Sequence, residues 1–442
     1  MSMVVKNNMS AVNTLNILNK NSSALSKSLQ KVSSGMKING AADDASGYAI
    51  SERMRVQIRG LDQANQNTQN GNSMMKVAEG AVSSTVDILK TLKEKVINAA
   101  NDTNTDADRA TIQKELDQSI DQINDNANVT YNGKYLVDGS HNSHVDATTS
   151  SMTNESLAST TKGASAFSVL QDRNGNSLNI NSLDTVTISF VREGKTYSTS
   201  MQATGNLNAL LTKANGIKDA KGNAINAFTA TVKEGSYIGK DIAGDTVATA
   251  DEKNALTITA AGTGVTKQIS GVTISVTNTK GQVQKSANAV LDNFSESIRA
   301  QNKSDDNAIS LQVGTKANQS IRVGLTDMRA EALGLQASTG QTIQIGTQAQ
   351  ANAAINVLDN AVQKALDQQT TIGSVQSRLS YTSTNLTTAS ENVQASESTI
   401  RDADMAKEMT GYTRNNILAQ AAQSMLAQAN HNTADVLNLL QS

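Results

Sequence analysis

The amino-acid sequence predicts a multidomain, mainly α-helical protein with a β-rich (α+β) central domain inserted between two helical halves. Three observations support this. Apolar residues near both ends recur in alternating steps of three and four, the 442 residues contain no proline, and apolar and polar residues alternate in the middle. Steps of three and four put side chains on one helix face. Absence of proline permits long helices, and alternation is typical of strands.

Both ends of the chain are predicted to form long, coiled-coil-like helices. The stripe is narrow and the opposite faces are polar, which favours a seam between helices over the face of a globular core. Isolated helices of this kind are marginal in water, so we expect the two ends to pair with each other or with other copies of the chain. The residues assigned to this packing are Leu15, Leu18, Leu25, Leu29, Val32 and Met36 at the start, and Leu418, Ala422, Met425, Ala429, Val436 and Leu439 at the end.

Further helices are predicted inside the two ends, with the same rhythm over 75–99 and 351–400. A shorter helix is expected to open at Thr105, because Asp108 follows at the spacing of a capping box. The middle predicts a hairpin, in which two alternating runs flank Arg192-Glu193-Gly194-Lys195. Other alternating runs lie at 228–232, 256–258 and 272–276, and the inserted domain is placed at 141–305.

A segment with three glycines and a pair of carboxylates interrupts the N-terminal helical pattern. Gly35, Asn39, Asp43 and Asp44 are interpreted as a spoke between the terminal arm and the body. Asp43 and Asp44 are expected to cap the start of the next helix.

Composition argues against several classes of function. Cysteine is absent, which excludes disulfides and thiolate zinc sites, and the net charge of -2 with dispersed basic residues gives no support for binding nucleic acid or a membrane. His141 and His144 lack a third ligand nearby, and the runs at 102–113 and 235–240 miss required positions of a calcium loop and a phosphate loop. We therefore predict no catalytic residue, metal or cofactor, and no enzymatic activity. The start of the chain also lacks the apolar run of a cleavable secretory signal.

Four stretches carry a specific resemblance. They are LSKSLQKVSSGMKINGAADDASGYAISERM (25–54), VTYNGKYLVDG (129–139), SLQVG (310–314) and IRDADMAKEMTGYTRNNILAQAAQSMLAQAN (400–430). The sequence resembles bacterial flagellin over about 140 residues at the start and about 135 at the end, whereas the middle shows no usable likeness.

The resemblance implies a layered filament subunit for swimming motility. Arms 1–43 and 397–442 would form the inner layer. Segments 44–140 and 306–396 would form a helical bundle with a β-hairpin near 131–139 and 310–325, and 141–305 would project outward. It further implies extracellular location after export, largely unfolded, through the flagellar type III apparatus. The implied partners are other copies of the chain, the flagellar cap and junction proteins, and an export chaperone at the C-terminal arm.

The resemblance also implies contact with the flagellin-sensing Toll-like receptor through Lys93, Glu94 and Glu115. Strongly sensed members resemble LQRVRELAVQ where residues 89–98 here read LKTLKEKVIN. Thr91 therefore replaces an arginine and Lys95 a leucine, which predicts weak receptor signalling because a guanidinium and an apolar contact are lost.

Two other interpretations stay open at this level. One is a hook–filament junction protein with similar ends. The other is a filament protein whose central domain has an adhesive, glycan-binding or enzymatic role.

Overall fold

The computed structural model describes residues 8–218, 223–242 and 244–441, with side chains up to residue 432. The chain divides into two compact units. We call Met1–Thr68, Gln312–Gln319 and Tyr381–Ser442 the terminal unit, and Gln69–Leu311 and Ser320–Ser380 the central unit. The finer five-segment division expected from the sequence stays a prediction.

Long helices dominate both halves of the chain, which confirms the predicted mainly α class with an inserted β-rich region. The predicted capping box of α3 is present: the Thr105 amide donates to Asp108 Oδ2 at 2.9 Å, and the Asp108 amide donates to Thr105 Oγ1 at 3.3 Å. The Thr105 hydroxyl, which donates to Asp108 Oδ2 at 2.7 Å, and the Thr105 amide hold the pKa of Asp108 below its usual value. The helices are α1 (Met9–Ser34), α2 (Ala45–Ala99), α3 (Asp106–Ala127), α4 (Leu207–Asn215), α5 (Lys285–Leu291), α6 (Gln348–Arg401) and α7 (Met405–Gln441).

The strands are short and lie mostly in the insert. They form a three-stranded sheet in the order β10-β4-β5, a four-stranded sheet in the order β11-β3-β9-β6, and three two-stranded pairs, β1-β2, β7-β8 and β12-β13. Their bounds are β1 (Thr130–Tyr131), β2 (Lys134–Tyr135), β3 (Ser151–Asn154), β4 (Thr185–Arg192), β5 (Lys195–Gln202), β6 (Lys233–Gly235), β7 (Tyr237–Lys240), β8 (Thr246–Ala248), β9 (Ala255–Thr259), β10 (Gly271–Thr277), β11 (Ser295–Ile298), β12 (Ile309–Gln312) and β13 (Ser320–Val323).

The predicted hairpin is β4-β5, and its turn has two residues with positive φ, Glu193 (50°) and Gly194 (68°). Such turns match the twist of antiparallel strands. Phe190 of β4 lies at the centre of the insert's apolar core, with its ring centroid 4.8 Å from that of Phe228 and 5.5 Å from that of Tyr197.

The strand expected at 228–232 does not form. Phe228 makes only an isolated bridge with Ala260, and β6 begins one residue beyond the predicted run. Side-chain amides on or next to α4 take the backbone donors that a ladder would use: Phe228 N donates to Asn215 Oδ1 at 2.8 Å, and Val232 N donates to Asn208 Oδ1 at 2.9 Å. Side-chain bonds of this kind compete with sheet pairing for the backbone donors.

In the central unit, the helical rhythm read from the sequence describes the buried face of α2. The predicted residues are almost fully buried, from Met75 and Ala78 to Val96 and Ala99. This burial makes them part of the apolar interior of the central unit.

Candidate functional site

The terminal helices α1 and α7 pack against each other in an antiparallel pair. Asn21 Nδ2 donates to the carbonyl of Leu418 at 3.2 Å, and Asn415 Nδ2 donates to Ser28 Oγ at 2.9 Å. At the start of α1, Asn8 Nδ2 donates to the carbonyl of Ala429 at 3.0 Å. The pair is therefore joined along its length by polar side chains as well as by apolar contact.

The side of α1 that faces α7 contains only every second residue of the predicted apolar stripe. Leu18, Leu25 and Val32 are half-buried, and between them lie the half-buried polar residues Asn21 and Ser28. The pair thus uses one predicted row of the heptad and combines it with the neighbouring polar row.

The other predicted row on α1 faces solvent in the single chain. Leu15 is 45% exposed and Leu29 is 51% exposed, and Val12 is exposed beside Leu15 on the same face. No residue of α1 is fully buried. Exposed apolar side chains aligned along one helix are typical of an interaction surface.

On α7, the predicted residues divide in the same way. Ala422 is buried and Ala429 is half-buried, whereas Leu418 is 45% exposed and Met425 is 63% exposed. The side chains of Val436 and Leu439 lie outside the described residues. Along α7 up to residue 432, where its side chains are described, sequence reasoning missed three further exposed apolar residues, which are Met405, Met409 and Ile417.

Met36 was wrongly placed in the helical stripe, because α1 ends at Ser34. Gly35 adopts the left-handed conformation (φ 70°) and its amide donates to the carbonyl of Lys31 at 2.9 Å, which terminates the helix. Met36 instead forms a β-bridge with Asp402, between the end of α6 and the start of α7.

The predicted spoke residues organise the link from α1 to α2. Asp43 Oδ2 accepts from the backbone amides of Asn39 at 3.1 Å and Gly40 at 3.3 Å, and so closes a turn. Asp44 Oδ1 accepts from the amides of Ser46 and Gly47, both at 3.0 Å, at the start of α2. Asp44 therefore has the position of a helix cap, whereas Asp43 stabilises the turn before it.

Sequence reasoning missed Arg401, which lies under this link. Its side chain is 6% exposed, its Nη1 donates to Glu52 Oε1 at 2.6 Å, and its guanidinium lies 5.5 Å from the ring of Tyr48. The hydrogen bond from Arg401 holds the pKa of the Glu52 carboxyl below its usual value. In the sequence, only its place at the start of the 400–430 stretch pointed to Arg401. Its role could not be read from nearby residues, because its partners lie about 350 positions away.

The three residues assigned to receptor contact lie on α2 and α3 of the central unit. Lys93 forms an ion pair with Asp359 of α6, and Glu115 forms one with Lys95 at 2.9 Å. Lys95 and Glu115 are 39% and 52% exposed, so this pair is at the surface. Glu94, the third residue, lies between the two lysines on α2.

The described residues contain no group of three or more His, Cys, Asp or Glu side chains arranged to hold a metal ion. His141 Nδ1 lies 3.3 Å from the carbonyl of Asn307, and His144 lies 3.9 Å from Asp146. Within the same described ranges, every helix is too short or too polar to cross a membrane.

Comparison with known proteins matches both ends of the chain to family models. Residues 5–142 match the bacterial flagellin N-terminal helical region, and residues 355–440 match the bacterial flagellin C-terminal helical region. A flagellin of Clostridium tyrobutyricum is 34% identical, with 98% of this chain and all of that protein covered. A flagellin of Bacillus subtilis (strain 168) is 31% identical, with 99% of this chain and all of that protein covered.

Among solved structures, a flagellar hook associated protein-3 from Legionella pneumophila covers 78% of this chain and is itself covered to 97%, at 15% identity and a TM-score of 0.34. The full-length relatives and the two matched terminal regions together show that this chain belongs to the bacterial flagellin family.

Proposed function

We propose that this chain is a structural subunit that polymerises into the flagellar filament and completes its terminal helices through contact with neighbouring copies. The observation that carries the proposal is the exposed apolar row of α1 and α7, represented by Leu15, Leu29 and Met425. Helices with such a row gain stability when another helix covers it. The terminal helices are thus suited to couple ordering with assembly.

The test uses the full chain, dissociated by heat and then cooled. Above a threshold concentration, sedimentation and negative-stain microscopy should show regular fibres. Trypsin should cleave within 8–34 and 405–432 in dissociated subunits but not in fibres, since assembly buries these segments. Subunits that stay single at every concentration, with protease-resistant ends at high dilution, would contradict the proposal.

The layered arrangement belongs to the same proposal. Segments 1–43 and 397–442 would line the inner layer, 44–140 and 306–396 the next, and 141–305 the outside. Cross-linking of cysteines introduced at positions 29 and 425 in fibres should join different subunits. In the same fibres, a cysteine at position 183, where Leu183 is 61% exposed in the insert, should react freely with an added thiol reagent.

We further propose that the subunit reaches the cell exterior through the flagellar type III apparatus, with a chaperone covering the apolar row of α7 beforehand and cap and junction proteins as partners at the filament. The exposed Ile417, Leu418 and Met425 support this, because such side chains favour association in the cytosol unless covered. Replacement of Leu418 and Met425 by Gln should weaken chaperone binding measured by calorimetry. The control is Ala422→Ser, because Ala422 is buried on the neighbouring row of α7.

For the host receptor we propose weak recognition. Lys95 forms an ion pair with Glu115, so the carboxylate of Glu115, a residue assigned to receptor contact, already has a partner within the chain. The double variant Thr91→Arg/Lys95→Leu should raise reporter-cell potency by about 30-fold, the effect of roughly 2 kcal/mol at a hot spot. Wild-type potency equal to that of strongly sensed flagellins would contradict weak recognition.

A further inference from the structure

A partly buried group of charged side chains joins the insert to helix α6 within the central unit. Arg299, directly after β11, places Nη2 at 2.7 Å from Asp367 Oδ2 of α6 and Nε at 3.8 Å from Glu296 Oε2 of β11. Lys364 lies one turn before Asp367 on α6, and its ammonium donates to the carbonyl of Ala332 at 2.5 Å. We call Glu296, Arg299, Lys364 and Asp367 the joint cluster.

Glu296 is the member whose charge is least well compensated. Its side chain is 12% exposed, against 51% for Asp367. Arg299 lies closer to Asp367 than to Glu296. Lys364 is only 7% exposed and donates one of its hydrogen bonds to a backbone carbonyl, that of Ala332. A carboxylate removed from water in this way is costly unless it is closely paired.

The other elements packed around Glu296 do little to offset this. On β3 the residue opposite is Met152, and that strand carries no titratable side chain. On β7, which also packs against β11, Tyr237 and Lys240 are both exposed. Asp327 acts on the ammonium of Lys364 as well, and so competes with Glu296 for that buried cation.

The directions of the pKa shifts in the cluster agree with this geometry. Burial raises the pKa of Glu296 to about 7, although Lys364 and Arg299 act in the opposite direction. Burial also lowers the pKa of Lys364 from its usual value. Glu296 therefore gains or loses its proton near neutral pH.

We propose that the joint cluster is a proton-controlled latch, in which β11 stays attached to α6 through Arg299 and Asp367 while Glu296 is protonated, and ionisation of Glu296 loosens this attachment of the insert to the helical body. The latch is closed in mildly acidic surroundings and opens as the pH rises. This inference is independent of polymerisation, because every residue of the cluster lies in one chain and one compact unit.

Hydrogen exchange of the full chain tests the latch directly. In the open state Glu296 has an ordinary pKa of about 4.5, so the opening equilibrium of the β11 amides should rise about tenfold between pH 6 and pH 8, after correction for intrinsic exchange. Glu296→Gln, which is neutral and nearly the same size, should reduce this ratio to less than about twofold. Glu391→Gln, at an exposed position in the terminal unit, should leave the tenfold ratio intact.

Two outcomes would overturn the proposal. One is a wild-type protein whose β11 exchange, once corrected, does not change between pH 6 and pH 8. The other is a Glu296→Gln variant that keeps the wild-type ratio. If that variant does not fold, Lys364→Met provides the second measurement: loss of the nearby ammonium should move the opening midpoint above pH 7, and an unmoved midpoint would count against the latch.

Discussion

The sharpest prediction from the terminal helix pair is that two neighbouring rows of α1 have different tasks. Leu15 and Leu29 lie in the exposed row, and Leu18 and Leu25 lie in the row that faces α7. Replacement of Leu15 and Leu29 by Gln should leave the single subunit intact, because both side chains are about half exposed and Gln is nearly as good a helix former as Leu. The same double variant should assemble poorly.

The size of the assembly defect follows from the exposed fractions. Full burial of a leucine side chain stabilises by roughly 1.5–3 kcal/mol. With 45% and 51% of the two side chains still exposed, each has about 1 kcal/mol left to gain from a neighbour. The pair contributes about 2 kcal/mol, so loss of both should raise the critical concentration for assembly about 30-fold.

Sedimentation at a series of protein concentrations measures the critical concentration, and circular dichroism of the dissociated subunit measures its helicity and thermal midpoint. The matched control is Leu18→Gln/Leu25→Gln, which should lower subunit helicity as well as assembly, because these residues already pack on α7. If Leu15→Gln/Leu29→Gln assembles at the wild-type critical concentration, the exposed row is not the surface that neighbours cover.

Three further predictions concern the interior of the subunit. Arg401→Met should make the 36–44 link about tenfold more sensitive to protease, measured as the initial cleavage rate, because a buried charged donor contributes on the order of 1.4 kcal/mol or more; an unchanged rate would show that the link does not depend on it. Gly194→Ala and Gly281→Ala both force a side chain into the left-handed region, at a cost of about 1–2 kcal/mol. At position 194 the added Cβ also meets the backbone carbonyl of Gln341, whereas at position 281 the space is open. Denaturant unfolding should therefore show a larger loss of unfolding free energy for Gly194→Ala than for Gly281→Ala. Burial raises the pKa of Asp292 to about 6, so the folded state binds this proton more tightly than the unfolded state does. The unfolding free energy should therefore fall by up to about 3 kcal/mol as pH rises from 4 through 6. Asp292→Asn should remove this pH dependence of the unfolding free energy, and a pH dependence retained in the variant would assign it to another group.

Local signals in the sequence predicted local structure well. Thr105 and Asp108 predicted the start of α3, because a capping box involves only four consecutive residues. The alternating runs around Glu193 and Gly194 predicted the β4-β5 hairpin for the same reason. Where the competing partner lay elsewhere in the chain, the pattern failed, as at Phe228, whose amide is taken by Asn215 near the end of α4.

The candidate site shows the same limit. Steps of three and four identified α1 and α7 as one-sided helices, but they could not tell which of two adjacent rows faces the partner within the chain. That choice depends on Asn21 and Ser28, which hydrogen bond across the pair to α7. Arg401 was invisible for a related reason, since its burial depends on Tyr48 and Glu52 at the start of α2.

Asn21 and Ser28, which lie beside the apolar row of α1 that faces α7, explain how one chain can exist both alone and in a filament. If Leu15, Leu29 and Met425 faced the internal partner, the helix pair would be complete in the single subunit and would offer neighbours only polar side chains. With Asn21 and Ser28 among the half-buried residues that face α7, part of the stability of the pair comes from hydrogen bonds that contribute about 1 kcal/mol each, and we expect the exposed row to gain its apolar burial on assembly. A variant that reverses this order, with Asn21→Leu and Ser28→Leu on the inner row, should therefore give a more stable subunit with a higher thermal midpoint but no lower critical concentration. If assembly improved together with subunit stability, the two rows would not be separate surfaces.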